Sequence, residues 1–192
     1  MTPGRRALGI AESYRGDGTA ATSTLAGAVV AADRSVDDFA FGRCTVGGDD
    51  ATDAIGTLWN QLGRPDVRYL FVAGVALAWY NVLDLERIHR TVGRPVIAVT
   101  FEESGGLESG IAAAFEGERR TERLAAYRSL PDRRRIETAG GPLFVRSVGL
   151  EAATADVVGA YTERRRPEPL RVAKRLARRI DAARRDGTIA PE

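Results

Sequence analysis

The nine residues VRYLFVAGV, at positions 67–75, form an apolar run of strand length that only Arg68 interrupts. Runs without polar alternation are typical of central strands that other elements cover on both faces. The sequence therefore predicts the centre of a β-sheet here. Downstream, apolar residues recur at helical spacing from 81 to 91, and a second apolar segment, PVIAVT, occupies 95–100. This order of strand, helix and strand predicts a parallel pair joined by a right-handed crossover.

Three further apolar segments precede the central run. They predict strands at 7–10, 25–31 and 39–46, of which the first two form a hairpin. After the third strand, Asp49 or Asp50 can cap a helix. The remaining elements are expected as helical segments at 104–129 broken near Gly117, a strand at 143–148, a helix at 150–161 and a C-terminal helix. Such an order predicts a three-layer α/β domain with helices packed on a mixed sheet.

The length of 192 residues fits one domain with one hydrophobic core. We expect a single domain over 1–192, with a flexible tail at 186–192. No window approaches the roughly 20 apolar residues that a membrane span needs, and no long signal-type stretch follows the first residues. The sequence thus predicts a soluble cytoplasmic protein without a membrane partner. Its single cysteine, Cys44, predicts a buried thiol and excludes an internal disulfide.

Positive charge is concentrated in the second half of the chain, although the formal net charge is only +2. In the C-terminal helix, an angular step of 100° per residue separates an apolar face from a basic one. The apolar face contains Leu170, Ala173, Leu176, Ala177, Ile180 and Ala183, and the basic face contains Arg171, Lys174, Arg175, Arg178 and Arg185. This pattern predicts a helix that docks on the core. Its outer face is either a rim that contacts phosphates or an ordinary solvated surface.

Five segments together carry a family resemblance: RALGIAES at 6–13, GGDDATD at 47–53, LFVAGVALAWYNVLDLERIH at 70–89, GRPVIAVT at 93–100 and RRRPEPLRVAKRLAR at 164–178. In order and spacing they resemble the endonuclease dU family, which is related to endonuclease V and has an RNase H-like fold. The resemblance covers almost the whole chain and is weakest at 101–140. It implies a three-layer RNase H-like fold, with helices on both faces of a mixed central sheet. It also implies a DNA-repair endonuclease that uses Mg²⁺ or Mn²⁺ on DNA containing deoxyuridine or another modified base.

At three site positions the chain departs from that family's pattern. The first strand has GIAE where the family has Gly-Ile/Val-Asp-Asp, so Ala11 replaces a carboxylate. The central strand has VAG for Leu-Asp-Gly, so Ala73 replaces a second one. The last helix has PLRVAK for Pro-Leu-Arg-x-Ala-His, so Lys174 replaces an imidazole with a cation. Because metal-dependent phosphodiester hydrolysis needs converging oxygen ligands, these changes predict a weakened or absent activity.

Several acidic residues survive near the same site. A remnant catalytic site would use Glu12, Asp50 and Asp53, with Asp49 and Asp53 as metal ligands. In an extended strand, however, Glu12 points away from the face of Ala11, so it could replace the lost carboxylate only through a bulge. Asp49 and Asp50 fit the capping of the following helix at least as well.

Three functions remain open. The first is a catalytically degenerate nuclease relative that needs no cofactor, retains binding to DNA or RNA, and acts as a partner or regulator of an active homologue. The second is an active Mg²⁺- or Mn²⁺-dependent endonuclease with a rearranged carboxylate site. The third is a protein-interaction scaffold, since a fold alone does not determine function.

Nucleic-acid contacts are predicted from the basic helix and from the segment after the central strand. A base-stacking role is open for Trp79, Tyr80 and Asn81, which follow Gly74 where strand ends open onto a cleft, but for Trp79 we expect core packing. For the only histidine, His89, we expect a packing role, which excludes most schemes that need a histidine base. The predicted contacts are Arg166, Arg171, Lys174, Arg175, Arg178, Tyr80 and Asn81.

Overall fold

The secondary structure comprises nine strands and six helices within residues 5–16, 20–150 and 152–189, which a computed structural model describes. The strands are β1 (Arg6–Glu12), β2 (Thr22–Ala31), β3 (Val36–Thr45), β4 (Val67–Ala73), β5 (Ala76–Leu77), β6 (Asn81–Val82), β7 (Val96–Thr100), β8 (Arg134–Thr138) and β9 (Gly141–Val148). The helices are α1 (Ala51–Leu62), α2 (Leu85–Val92), α3 (Glu108–Ala114), α4 (Gly117–Arg128), α5 (Thr154–Tyr161) and α6 (Glu168–Arg185).

Strand β4 occupies the centre of a seven-stranded mixed sheet with the order β3-β2-β1-β4-β7-β9-β8. It pairs in parallel with β1 and β7, which confirms the predicted sheet centre and the crossover. Strands β1, β2 and β3 pair antiparallel in sequence, so β3 runs in the direction of β1. Four strands therefore end at one side of the sheet, here called the carboxyl edge, with terminal residues Glu12, Thr45, Ala73 and Thr100.

Helices cover both faces of the sheet, as the fold class predicts. On one face, Leu8 and Ile10 of β1 pack in the same core cluster as Ile55 of α1. On the other face, Phe71 of β4 packs with Tyr161 of α5, their ring centroids 5.5 Å apart, in a second cluster that also contains Leu170 of α6. The alternation of side chains along the strands produces these two cores.

Helix α6 packs on β1 and β2, and the Pro-Glu-Pro-Leu sequence forms its start. The main chain of Pro169 lies so close to Gly9 that a Cβ atom there would overlap the proline carbonyl group. Leu170, Ala173 and Ala177 are buried, which confirms the predicted inner face. Three other residues assigned to that face are only half-buried, namely Leu176, Ile180 and Ala183.

The structure differs from the sequence-based expectations in three elements. The helix expected from 81 starts at Leu85, because the Asp84 side chain accepts a hydrogen bond from the Arg87 N–H and caps it there. Residues 81–82 instead pair with β5 in a short hairpin. Strand β8 was not anticipated, because its sequence, RRIET, is largely exposed and lacks apolar alternation. Of the expected tail, residues 186–189 form turns and bends, and 190–192 lie outside the described residues.

No helix in the described part of the chain is both long and apolar enough to cross a membrane.

Candidate functional site

Ala11 and Ala73, the two alanines at carboxylate positions, lie side by side at the carboxyl edge. Their preceding residues Ile10 and Val72 are paired across β1 and β4. Ala11 is 0% exposed and packs with Ala28 and Ala173, in a cluster that Ala73 also contacts. The positions that the family pattern assigns to one site are thus brought together, but an apolar contact with α6 fills the space. Neither methyl group can bind a metal ion.

Lys174 directs its ammonium group to the end of β1. Its Nζ atom donates to the main-chain oxygen of Glu12 at 2.5 Å and lies 3.3 Å from the Glu12 Oε1 atom. The two side chains are only 20% and 15% exposed. The other carboxylate oxygen of Glu12 accepts from the Ser23 hydroxyl at 2.7 Å and from the Tyr14 N–H. A protein cation is therefore already paired with the acid that would have to bind the metal.

No bulge turns Glu12 toward the position of Ala11. The irregularity of β1 against β4 lies between Arg6 and Ala7, at the opposite end of the strand. The rearrangement required for an active site built on Glu12 is absent at that residue.

Asp50 has a structural role that differs from the capping expected for it. Its carboxylate accepts from the Thr45 N–H at 3.0 Å, from the Thr45 hydroxyl at 2.7 Å and from the Asn81 amide at 2.7 Å. Although Asp50 precedes α1, its side chain makes no capping hydrogen bond. The Asn81 Oδ1 atom accepts from the Ala51 N–H instead, at 3.1 Å. A distant side chain thus replaces the local cap.

These contacts also set the ionisation of Asp50. Partial burial by itself raises the pKa of a carboxyl group, but the hydrogen bonds from Thr45 and Asn81 outweigh it and lower the pKa of Asp50. A carboxyl whose pKa is lower in the folded state stabilises the fold above its unfolded pKa, and that contribution is lost as the pH falls.

We expect Asp50→Asn to lower the free energy of unfolding at neutral pH by about 1 to 2 kcal/mol, because an amide cannot accept all of these hydrogen bonds. The difference from the unsubstituted protein should shrink as the pH falls through the ordinary carboxyl value of 3.8 and below. Urea unfolding at several pH values measures it. Asp53→Asn is the matched control, with about 0 to 1 kcal/mol expected for an exposed ion pair. A constant difference down to the acid limit would contradict the assignment.

The remaining acids of the Asp-rich turn do not join a common site. Asp53 forms an ion pair with Arg87, with side chains 63% and 51% exposed. Asp49 lines an open cleft beside Arg119 and Arg123. The structure therefore does not bring together Glu12, Asp50 and Asp53, nor does it pair Asp49 with Asp53. Across the described residues, no group of three His, Cys, Asp or Glu side chains could hold a metal ion. The donor set does not fit Mg²⁺ or Mn²⁺.

The predicted basic residues line the start and outer side of α6. Arg175 and Arg178 are exposed. The Arg171 guanidinium donates to Glu168 at 2.7 Å, and the Arg166 guanidinium lies 4.4 Å from the centroid of the Phe101 ring. We call Arg166, Arg171, Arg175 and Arg178 the α6 basic surface.

The aromatic segment after β4 departs from the expected roles. Asn81 is 0% exposed and its amide bonds Thr45, Asp50 and Ala51, so it is not placed to contact nucleic acid. Tyr80 is half-buried, with its ring against Gly110 of α3. Trp79, expected in the core, is 43% exposed. The sequence carries no local signal that Asn81 is buried and Trp79 exposed, because both depend on the hairpin turn between β5 and β6.

Two single-copy residues behave as predicted. Cys44 is buried, and burial, with added repulsion from the Asp50 and Glu12 charges, raises the pKa of its thiol to about 12. His89 packs its ring against Gly149 and places its Nδ1 atom 2.8 Å from the Arg94 carbonyl oxygen. Neither is arranged as a nucleophile or a base.

Comparisons with known proteins bear on the family and the fold. A family model described as endonuclease dU matches residues 3–181. A UPF0215 protein of Pyrobaculum calidifontis is 33% identical over 88% of this chain and 93% of its own length. A protein of unknown function from Archaeoglobus fulgidus has a TM-score of 0.78 at 22% identity, covering 91% of this chain and 97% of that one. Endonuclease V of Ciona intestinalis, solved with a DNA 24mer containing inosine, has a TM-score of 0.59 at 13% identity, covering 93% and 86%. These likenesses confirm the three-layer RNase H-like fold.

Proposed function

The chain belongs to the endonuclease dU family, and from this premise we propose that it is a catalytically degenerate member that binds nucleic acid. The main support for the loss of catalysis is that three groups of the family's site are replaced at one place. Ala11 and Ala73 present methyl groups, and the Lys174 ammonium is paired with Glu12. All three changes act against a bound divalent cation.

The expected loss of activity is large. Metal ions activate water and offset charge on the leaving oxygen, so their loss removes both contributions. Groups that act as a unit lose most of their effect when any one is removed. The active alternative, with Mg²⁺ or Mn²⁺ on a rearranged carboxylate site, lacks support because Glu12, Asp50 and Asp53 each contact different partners.

Retained binding is supported by the α6 basic surface. Its exposed members Arg175 and Arg178 lie on a helix whose inner side packs on β1 and β2, so their main-chain positions are fixed relative to the sheet. Arginine side chains on a rigid helix are suited to phosphate contacts. The structural relative from Ciona intestinalis was solved in complex with DNA. We further propose that this protein acts in DNA repair in the cytoplasm, as a partner or regulator of an active homologue.

We expect Arg175→Glu with Arg178→Glu to weaken binding of a fluorescent DNA or RNA oligonucleotide, measured by anisotropy across a salt series. Each lost phosphate contact should reduce the slope of log K against log salt by about 0.7 to 0.9. Arg171 is left unchanged because it pairs with Glu168.

The matched control reverses Arg68 and Arg90, which are exposed on β4 and α2. It makes the same change in net charge away from α6 and should leave the salt slope unaltered. Absence of nucleic-acid binding by the unsubstituted protein at low salt would contradict the proposal and favour the interaction scaffold.

A further inference from the structure

The turn between β5 and β6 has an unusual backbone. Its three residues, Ala78, Trp79 and Tyr80, have φ values of 40°, 61° and 59°. Left-handed conformations cost non-glycine residues roughly 1 to 2 kcal/mol each. Three in succession persist only where the surroundings hold them in place, and such strain is concentrated at binding and catalytic sites.

Contacts on both sides hold this turn. Gly47 donates its N–H to the Ala78 carbonyl oxygen at 2.8 Å. A Cβ atom on Gly47 would lie 2.7 Å from the Trp79 ring, so only glycine permits the close approach. Tyr80 packs against Gly110, and the buried Asn81 amide ties the end of the turn to β3 and α1. The indole is therefore presented by a fixed backbone.

Trp79 is exposed although it belongs to an aromatic cluster. Its ring lies 5.2 Å from that of Phe115, with the planes inclined by 41°. Even so, 43% of the residue remains accessible to solvent. An aromatic ring that packs against other side chains and still remains accessible to solvent can stack with a nucleobase.

The charged groups around Trp79 are of both signs, and the two arginines are already engaged by protein groups. Arg119 and Arg123 lie 5.3 Å and 5.2 Å from the Phe115 centroid, and both donate to the Gly47 carbonyl oxygen. The carboxylate of Asp49 lies near Arg123, and its negative charge partly offsets the positive charge of the guanidinium. Because charges of both signs lie here, the accessible indole of Trp79 is the feature that distinguishes this part of the surface.

Trp79 lies near the carboxyl edge of the sheet, where the replaced metal site also lies. Gly47, on which it packs, follows the end of β3, and the Thr45, Asp50 and Asn81 contacts connect it to the carboxyl edge. Lys174 reaches that edge from α6 at Glu12.

We propose that Trp79 stacks on an unpaired base of a nucleic-acid strand that binds at the carboxyl edge of the sheet. This inference rests on the proposed function and specifies the form of nucleic acid, a strand with at least one unstacked base. Stacking contributes little sequence preference, since every base has a π-face.

The first test uses the two tryptophans of the chain. Trp59→Phe leaves Trp79 as the only tryptophan, and its fluorescence is recorded during titration with oligothymidylate at low salt. An abasic oligonucleotide of equal length carries the same phosphates without bases. The proposal predicts quenching by oligothymidylate and little change with the abasic strand.

The second test measures affinity by anisotropy. Trp79→Ala should weaken oligothymidylate binding about tenfold or more, while leaving the weaker binding of the abasic strand unchanged. Phe39→Ala is the matched control, because Phe39 is 46% exposed on β3 and should not affect either affinity. Trp79→Phe, which keeps an aromatic ring, should retain part of the affinity. Circular dichroism establishes that each variant is folded.

The outcomes separate the two proposals. Binding of oligothymidylate with unchanged Trp79 fluorescence and unchanged affinity in Trp79→Ala would overturn the stacking inference alone. Absence of binding to both strands by the unsubstituted protein would overturn the proposed function together with it. The exposed indole would then be assigned to a protein partner.

Discussion

Restoring the three lost groups, with Ala11→Asp, Ala73→Asp and Lys174→His together, is expected to produce a protein that binds Mn²⁺ or Mg²⁺ and cleaves DNA. Cleavage of a deoxyuridine-containing oligonucleotide should exceed that of the unsubstituted protein by on the order of 100-fold or more. The reason is geometric, because Ala11 and Ala73 lie on adjacent parallel strands and share the cluster beneath α6. The three substitutions would return the donor groups of the family pattern to positions that already lie together.

Stability provides a readout that is independent of cleavage. Without metal, two carboxylates about 5 Å apart repel by about 3 kcal/mol at an effective dielectric constant near 20. The triple variant should therefore melt below the unsubstituted protein in chelator. A metal ion at 100 times its Kd adds about 2.7 kcal/mol, which raises Tm by about 5 to 10 °C for a chain of this size. Calorimetric scans with and without Mn²⁺ measure this response.

Two single variants serve as controls. Lys174→His alone supplies no carboxylate and should show neither a metal-dependent Tm nor cleavage. Ala11→Asp alone should lose stability, because an unpaired charge is placed where Ala11 is fully buried. If the unsubstituted protein were itself stabilised by Mn²⁺ and cleaved DNA in a metal-dependent manner, the loss of catalysis would be contradicted.

Gly9→Ala is expected to destabilise the fold by about 3 kcal/mol, at the upper end of overpacking effects. The new methyl group would overlap the carbonyl group of Pro169, which is backbone and cannot change rotamer. Helix α6 would have to move away from β1 and loosen the packing of Leu170 and Ala173. Urea unfolding should show a lower midpoint, and Tm should fall by about 6 to 12 °C.

Gly42→Ala is the matched control, since Gly42 is also in a strand. There the nearest atom to a new Cβ is the Leu25 Cβ at 4.0 Å, which is an ordinary contact. We expect a change within about 0.5 kcal/mol. Equal stabilities for Gly9→Ala and Gly42→Ala would show that α6 does not lie against β1 as described.

The elements with strong local signals were predictable from the sequence. The run at 67–75 is the sheet centre, and the hairpin before it and the crossover to β7 follow from apolar runs and turn residues. Strand β8 and the β5–β6 hairpin were missed because their short strands carry little periodicity and depend on pairing with other segments. The bend from Trp79 to Tyr80 is likewise maintained by distant glycines.

The candidate site was likewise predictable only in part. Residue identity and spacing along the chain are sufficient to predict the family, the three substitutions at Ala11, Ala73 and Lys174, and the basic face of the C-terminal helix. Long-range contacts, by contrast, determine which groups remain available for binding. They engage Asn81 and Asp50 in a hydrogen bond, pair Lys174 with Glu12, and leave Trp79 accessible. Exposure and pairing depend on residues far apart in sequence, which no local pattern records.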